Sequence, residues 1–262
     1  MFAGGDTFSL KRTSNNHLAL IPAYNEAATV VHVVERVRAE APCCDVLVVS
    51  DGSTDDTAGL ARAAGADVLE LSFNLGIGGA VQAGFVYAKE NGYRYIVQVD
   101  GDGQHEPQEI ATLLTAMDAD PSLDMVCGSR FLVPGEYLPP ISRRTGIHVF
   151  AFLLSRIVGQ PVTDPTSGFR LYNRRAIELF SADYPHDYPE VEAVLMLHTH
   201  RLRMGEVPVK MYQRGGGQSS IGSGKSVYYM VKVLLAIFVG LLRRRAVPRP
   251  GEPAPVAAEH GI

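Results

Sequence analysis

An α/β fold with a mostly parallel sheet and helices on both faces is what this 262-residue sequence predicts. Three observations lead there. Strand-like and helix-like segments alternate from Leu18 to Cys127, and parallel strands need such crossovers. Leu18–Ile21 and Val46–Val49 are apolar without alternation, as strands covered on both faces are. Each strand also runs out into small or acidic residues, at the carboxyl ends where open sheets bind ligands.

In chain order, residues 1–17 read as a polar, mobile arm. Leu18–Pro22 is the first strand. Glu26–Ala41 has helical spacing at Val30, Val33, Val34 and Val37. Val46–Val49 is a strand, and Asp55–Ala64 a helix with Thr54 or Asp55 as its cap. Val68–Leu71, Gly79–Asn91 and Tyr95–Val99 continue as strand, helix and strand. Pro107–Met117 is a helix with an early proline, followed by the strand Met125–Cys127. Thr145–Val158 carries the stripe Ile147, Phe150, Leu154 and Ile157. Arg174–Phe180 and Pro189–Leu202 are helices, Val207–Tyr212 a strand and Gly215–Gly224 a loop. Ser226–Leu242 is a strongly apolar helix ending in Arg243, Arg244 and Arg245, and 246–262 is expected to be disordered. The divisions are therefore an arm at 1–17, a catalytic-type domain at 18–225, an apolar helix with a basic end at 226–245, and a tail at 246–262.

Composition narrows the class. With 46% hydrophobic and 20% charged residues, wholly disordered, collagen-like and coiled-coil chains are excluded. Three cysteines (Cys43, Cys44 and Cys127) neither frame a disulfide scaffold nor match a zinc motif, so a reducing, cytoplasmic setting is expected. No basic-then-apolar leader opens the chain, so secretion is not expected. Residues 1–200 carry a net charge of −11 and residues 201–262 one of +7. The near-neutral total argues against nucleic acid as a partner. The basic end beside an apolar run suggests an anionic membrane surface, with a solvated tail as the plainer reading.

The strand ends carry the chemistry. Asp100 and Asp102, two apart in a loop, can both turn to one hard cation, and Gln104 could add a neutral oxygen. A solvated turn of Asp and Gly residues fits the same letters. Asp51 could accept a base N–H, with Gly52 allowing close approach, or the segment could be a strand-to-helix cap. His105 fits either a supporting group behind the acids or polar surface. The Gly76–Gly79 run is half a dinucleotide fingerprint, but no Gly-x-Gly-x-x-Gly follows the first strand and no Walker lysine motif exists, which disfavours nicotinamide enzymes.

Taken in order, Pro22-Ala23-Tyr24-Asn25-Glu26, Asp51-Gly52-Ser53-Thr54-Asp55, Gly76–Ala80 and Asp100-Gly101-Asp102 resemble the nucleotide-sugar half of the family 2 inverting glycosyltransferases of the GT-A (Rossmann-like) fold. Gly128-Ser129-Arg130-Phe131, Asp164–Arg170, Val207-Pro208-Val209 and Arg214-Gly215-Gly216 resemble its polyprenyl-phosphate (dolichol-phosphate) mannosyl- and glucosyltransferase branch. The resemblance runs over residues 18 to 240. Ser50 and Ile77 depart from it, standing where the family often has an acid and a lysine.

The resemblance implies a nucleotide-sugar donor, a polyprenyl-phosphate acceptor, and Mg²⁺ or Mn²⁺. Pro22, Tyr24, Glu26 and Asp51 would hold base and ribose, beside the donor loop at Gly76 and Gly78. Asp100, Asp102 and Gln104 would ligate the metal with the diphosphate. Arg130 would face a phosphate, as would Arg143 or Arg144, with a surface salt bridge the better reading of Arg144. Ser167 and Arg170 would line the acceptor side, and Arg214 would close over the donor on a mobile loop.

An acceptor phosphate is already anionic and needs no strong base. A hydroxyl acceptor needs one, and Asp187, Glu190 and Glu192 are the candidates, Glu192 foremost, with a solvated helix start as the other reading. Ser226–Leu242 would make about 26 Å of helix, marginal for a span. It is expected to lie in or dip into the inner leaflet with Thr145–Val158 beside it, or to dock on a small membrane-protein partner. A buried core helix is the equal alternative for Thr145–Val158. The expected place is the cytoplasmic face of the plasma membrane. The rival functions are transfer to a hydroxyl on a glycolipid or polysaccharide precursor, and a non-catalytic nucleotide-sugar-binding subunit.

Overall fold

The computed structural model describes residues 15–132, 141–186 and 188–210, without the side chains of 141–145. A seven-stranded sheet has the order β3-β2-β1-β4-β6-β5-β7. Its strands are β1 (His17–Ala23), β2 (Cys44–Asp51), β3 (Asp67–Leu71), β4 (Tyr95–Gln98), β5 (Met125–Ser129), β6 (Arg170–Tyr172) and β7 (Met204–Pro208). Only β6 runs against its neighbours, pairing Gln98 with Arg170 on one side and Cys127 with Arg170 on the other. The expected mostly parallel sheet is present.

Helices cover both faces. Leu18, Leu20, Leu47, Val49, Ile96 and Tyr172 turn one way, onto α3 (Gly76–Glu90), α5 (Ile141–Val158), α6 (Arg174–Ala182) and α7 (Pro189–Thr199). Ala19, Ile21, Val46, Val48, Val97 and Leu171 turn the other way, onto α1 (Val30–Glu40), α2 (Thr57–Ala63) and α4 (Ile110–Ala119). This alternation is the period-2 geometry of a strand, with both faces buried. The first face holds an aromatic knot, in which Phe85 meets Tyr172 edge-on at 5.0 Å and Phe180 at 5.3 Å.

Element ends differ from the sequence expectation for local reasons. His17, assigned to the arm, opens β1 and stacks on Tyr95 at 5.2 Å. α1 starts at Val30 rather than Glu26, and ahead of it the Asn25, Glu26 and Ala27 N–H groups donate to Ser53, Thr57 and Asp55 of the next loop. α2 starts at Thr57, whose N–H donates to Asp55 at 3.1 Å, so Asp55 acts from outside the helix. Pro107–Glu109 is a 3-10 turn leading into α4. The strand expected at Val207–Tyr212 is β7, three residues earlier, and 211–212 lie outside the described residues. Strand β6 went unpredicted, since three residues are too few to show a period.

The α5 stripe of Ile147, Phe150 and Leu154 is buried in the core, while Val149 and Phe152 on the far side are exposed. No helix among the described residues is long and apolar enough to cross a membrane. Gly215–Gly224, Ser226–Leu242 and the 246–262 tail lie outside the described residues.

The glycine run read as a loop is the first turn of α3. A Cβ on Gly78 would strike the Pro185 carbonyl oxygen and come within 2.7 Å of His186 Cα. Backbone cannot step aside as a side-chain tip can. Gly78→Ala is therefore expected to lower stability by about 1–3 kcal/mol in urea unfolding, against the propensity gain Ala normally brings to a helix.

Candidate active site

The chain runs outward through β1, β2 and β3, then returns to place β4 on the other side of β1. At that reversal the connections leave β1 and β4 in opposite directions, and a crevice opens outside their carboxyl ends. Pro22 and Ala23 end β1 on one side of it, and Asp100 follows β4 on the other.

Hydrogen bonds tie the crevice loops to one another. Thr54 N–H donates to Asn25 Oδ1 at 2.8 Å, and Glu26 N–H to Thr57 Oγ1 at 2.9 Å. Asn25 takes a left-handed φ of 54°, which Asn tolerates better than most residues. Thr29 Oγ1 donates to the Gly101 carbonyl at 2.9 Å and touches Glu26 Oε2 at 2.8 Å. Asp51, buried at the end of β2, accepts from Leu75 N–H at 2.7 Å and so pins the start of α3. Tyr24 stands 48% exposed at the mouth, with Phe73, Leu75 and Ile77 also exposed nearby in sequence to Asp51's partner. Gly76 opens α3 with φ of 79°.

The acidic loop is built to hold two carboxylates outward and one imidazole inward. Asp100, Asp102 and Gln104 are partly exposed, and His105 is 4% exposed. Gly103 turns the chain with φ of 75°, a value costly for a side chain bearing Cβ. Gln104 N–H donates to Asp102 Oδ1 at 3.0 Å. Asp100 N–H donates to His105 Nδ1 at 2.9 Å, and His105 Nε2 lies 3.4 Å from Asp100 Oδ2. Since Nδ1 accepts, the neutral ring carries its proton on Nε2, facing the carboxylate. Burial drives the His105 pKa from an ordinary 6.5 down to about 4, with Arg130 lowering it further and Asp102 and Asp164 opposing.

Two carboxylates and an amide oxygen suit a hard divalent cation with an open coordination sphere. Among the described residues no cluster of three or more His, Cys, Asp or Glu could hold a metal alone. The donor set thus fits an ion completed by ligand oxygens. Conversely, an acidic loop repels a diphosphate until a cation neutralises it.

Beside this loop, Arg130 forks onto buried Asp164, with Nε to Oδ2 at 2.6 Å and Nη2 to Oδ1 at 2.7 Å, and reaches Thr166 at 2.9 Å. Glu206 on β7 accepts from Thr163 N–H at 2.8 Å and Asp164 N–H at 3.1 Å. Arg170, expected on the acceptor side, is 1% exposed; it donates to the carbonyls of Ser167 at 2.7 Å and Pro165 at 3.2 Å, closing the turn from inside. Ser167 is 2% exposed and accepts from Phe169 N–H at 3.3 Å. Both therefore shape the turn in this structure. Gly168 lies against Asp100, and a Cβ there would come within 2.9 Å of Oδ1.

On α7, burial raises the Glu190 carboxyl above its ordinary range; Arg170 opposes the rise and Asp100 adds to it. Glu192 lies about 200° further round the helix, so one site cannot face both acids. Glu190 is thus the α7 acid whose titration Asp100 influences, whereas Glu192 is the foremost candidate base from sequence. Asp187 and Arg214 lie outside the described residues, as do the side chains of Arg143 and Arg144. The partners missed from sequence are Asp164 for Arg130, Glu206 for the Thr163–Asp164 turn, and Gly168 for Asp100. Asp164 sat within a recognised motif, but Glu206 gave no signal, being more than 40 residues from its partners.

Comparison with known proteins bears on family and fold. The family model described as Glycosyl transferase family 2 matches residues 19–180. Polyprenol monophosphomannose synthase of Mycolicibacterium smegmatis is 32% identical over 241 residues, covering 88% of this chain and 90% of that protein. Undecaprenyl-phosphate mannosyltransferase of Micrococcus luteus is 34% identical over 218 residues, covering 79% and 88%. Glucosyl-3-phosphoglycerate synthase of Mycobacterium tuberculosis, solved with Mn²⁺, uridine diphosphate and glucosyl-3-phosphoglycerate, shares the fold with a TM-score of 0.62 at 17% identity, covering 87% of this chain and 80% of that one.

The buried His105 generates a stability prediction. Between pH 6.5 and about 4 the unfolded chain holds a proton on this ring that the folded chain does not. Stability attributable to it is whole above pH 6.5 and falls as pH drops through that window, by on the order of 3 kcal/mol. In urea unfolding with a chelator present, wild type should lose more stability than His105→Gln between about pH 7 and pH 4.5. Parallel acid limbs for the two proteins would contradict the buried neutral ring.

Proposed function

We propose, from the premise that this chain belongs to glycosyltransferase family 2, that it transfers a hexose, mannose or glucose, from a nucleotide-diphosphate sugar to a polyprenyl phosphate at the cytoplasmic face of the membrane. The observation that carries the donor half is the pairing of Asp100, Asp102 and Gln104 with the tied Tyr24–Thr29 and Gly52–Thr57 loops across the sheet's reversal. The acceptor half rests on kinship, since both mannosyl-transferring relatives bear a polyprenyl phosphate product or acceptor in their names.

Asp100, Asp102 and Gln104 would hold Mg²⁺ or Mn²⁺, the latter present with uridine diphosphate in the Mycobacterium tuberculosis structure. Such an ion supplies charge neutralisation to a departing nucleoside diphosphate. Pro22, Tyr24, Glu26 and Asp51 line or support the side of the crevice where base and ribose would sit. The acceptor phosphate attacks the anomeric carbon as the bond to the diphosphate oxygen breaks, and attack opposite the leaving group inverts that centre. Alignment then does most of the catalysis, since the nucleophile is already an anion. Arg130, forked onto Asp164, holds the acceptor-side turn against the Asp100 loop. The exposed Val149 and Phe152 on α5 and the basic, apolar C-terminal sequence support peripheral membrane attachment.

One observation favours a second acceptor class. A half-buried carboxyl with a raised pKa beside the site is what a general base for a hydroxyl requires, and Glu190 has that environment.

Incubation with UDP-, GDP- and dTDP-sugars, Mn²⁺ and a short-chain polyprenyl phosphate is expected to give lipid-linked sugar that EDTA abolishes. Asp100→Asn and Asp102→Asn should each lower transfer by about 100-fold or more, beyond the effect of losing a supporting residue. Unchanged turnover in both would contradict the metal role. Glu190→Gln and Glu192→Gln should leave transfer to the lipid phosphate within several-fold. A loss of about 100-fold or more in either, with donor binding intact, would move the acceptor to a hydroxyl.

A further inference from the structure

His105 touches the acidic loop twice and belongs to no step above. Its Nδ1 takes the Asp100 backbone N–H at 2.9 Å, and its Nε2 stands 3.4 Å from Asp100 Oδ2. The ring is held from behind by Phe169, with centroids 4.8 Å apart, and is buried among the charges of Asp102, Arg130 and Asp164. On its other side the Asp100 carboxylate meets Gly168, where a Cβ would come within 2.9 Å of Oδ1 and 3.3 Å of Oδ2. The carboxylate therefore sits in a slot between an imidazole edge and a bare Cα.

We propose that His105 is a positioning residue for a divalent cation, acting through Asp100: Nδ1 seats the ring against the Asp100 backbone N–H, and Nε2–H, facing the carboxylate at 3.4 Å, orients it for the ion. This rests on the metal reading of Asp100, Asp102 and Gln104. A free carboxylate rotates about χ1 and χ2, and ordering it on ion capture costs side-chain entropy. A donor fixed beside one oxygen removes that cost before the ion arrives. Partners of this kind, one step behind the ligands, typically change metal affinity by about 10–100-fold when removed. The two nitrogens have separate tasks, so two amide variants separate them. Asn places its carbonyl oxygen near the Nδ1 position and can still accept the Asp100 N–H. Gln places its amide N–H near the Nε2 position and can still donate to the carboxylate.

The test is Mn²⁺ binding to the full chain, read from the free-ion electron paramagnetic resonance signal. It is run with UDP or GDP, whichever wild type binds, together with the urea midpoint of each variant at neutral pH. His105→Asn is expected to bind Mn²⁺ about 10–100-fold more weakly, and His105→Gln within about threefold of wild type. Equal losses in both variants, or no loss in His105→Asn, would reduce His105 to a packing residue and overturn the proposal. If wild type itself captured no Mn²⁺ with either nucleotide, the metal reading would fall and the role of His105 with it. An Asn variant that binds like a Mn²⁺-competent wild type would remove only the latter.

Discussion

The reversal of strand order between β1 and β4 is the constraint on which the site depends. Two neighbouring parallel strands end side by side, and their loops must part to reach helices on opposite ends of the sheet. Parting exposes backbone groups that a continuous layer of loops would satisfy. Here Thr29 bonds across the gap to Gly101, while Asn25 to Thr54 and Glu26 to Thr57 tie the loop after β1 to the loop after β2. Loops joined this way give the crevice a defined shape, and preformed geometry is what a transfer reaction with an anionic nucleophile needs most.

Charge organises the crevice in layers. Asp100 and Asp102 are partly exposed, so a hard cation can reach them. Beneath them lies an imidazole that burial keeps neutral, so no positive charge competes for the carboxylates from inside. The strong cations nearby are tied elsewhere: Arg130 is forked onto Asp164, and Arg170 is turned inward onto two carbonyls. A buried ion pair such as Arg130–Asp164 adds little net stability against apolar replacements, yet it fixes geometry, because breaking it leaves a charge without a partner in a poor solvent for it. The Asp164–Arg170 turn is thus set from both ends, and Gly168 within it can lie flat against Asp100.

Much of this was legible in the residues. The unbroken apolar runs of β1 and β2 announced a sheet buried on both faces, and the polar clusters after each strand marked the edge where the site would form. Asp100, Asp102 and Gln104 could be picked out because two-residue spacing in a loop is itself a geometric statement. What escaped depended on contacts far apart in sequence. Strand β6 exists because β4 and β5 leave room between them for three residues, a fact of the sheet and not of Arg170–Tyr172. Gly78 reads as part of a loop because its purpose is close approach by the Pro185–His186 backbone, which no local pattern records. Arg170 drew attention for its charge, whereas its burial decides its part. Sequence puts Glu192 ahead of Glu190, and the burial that sets Glu190 apart shows only once the face of α7 is known.

The central claim is that nucleotide and metal meet between the carboxyl ends of β1 and β4. Anomalous diffraction from crystals grown with Mn²⁺ and UDP or GDP tests it most directly. The account predicts one Mn²⁺ peak at coordinating distance from the Asp100 and Asp102 carboxylates, with the diphosphate on the same ion and the base over Pro22–Glu26. A nucleotide bound there without any metal, or a Mn²⁺ peak at another face of the sheet, would contradict it.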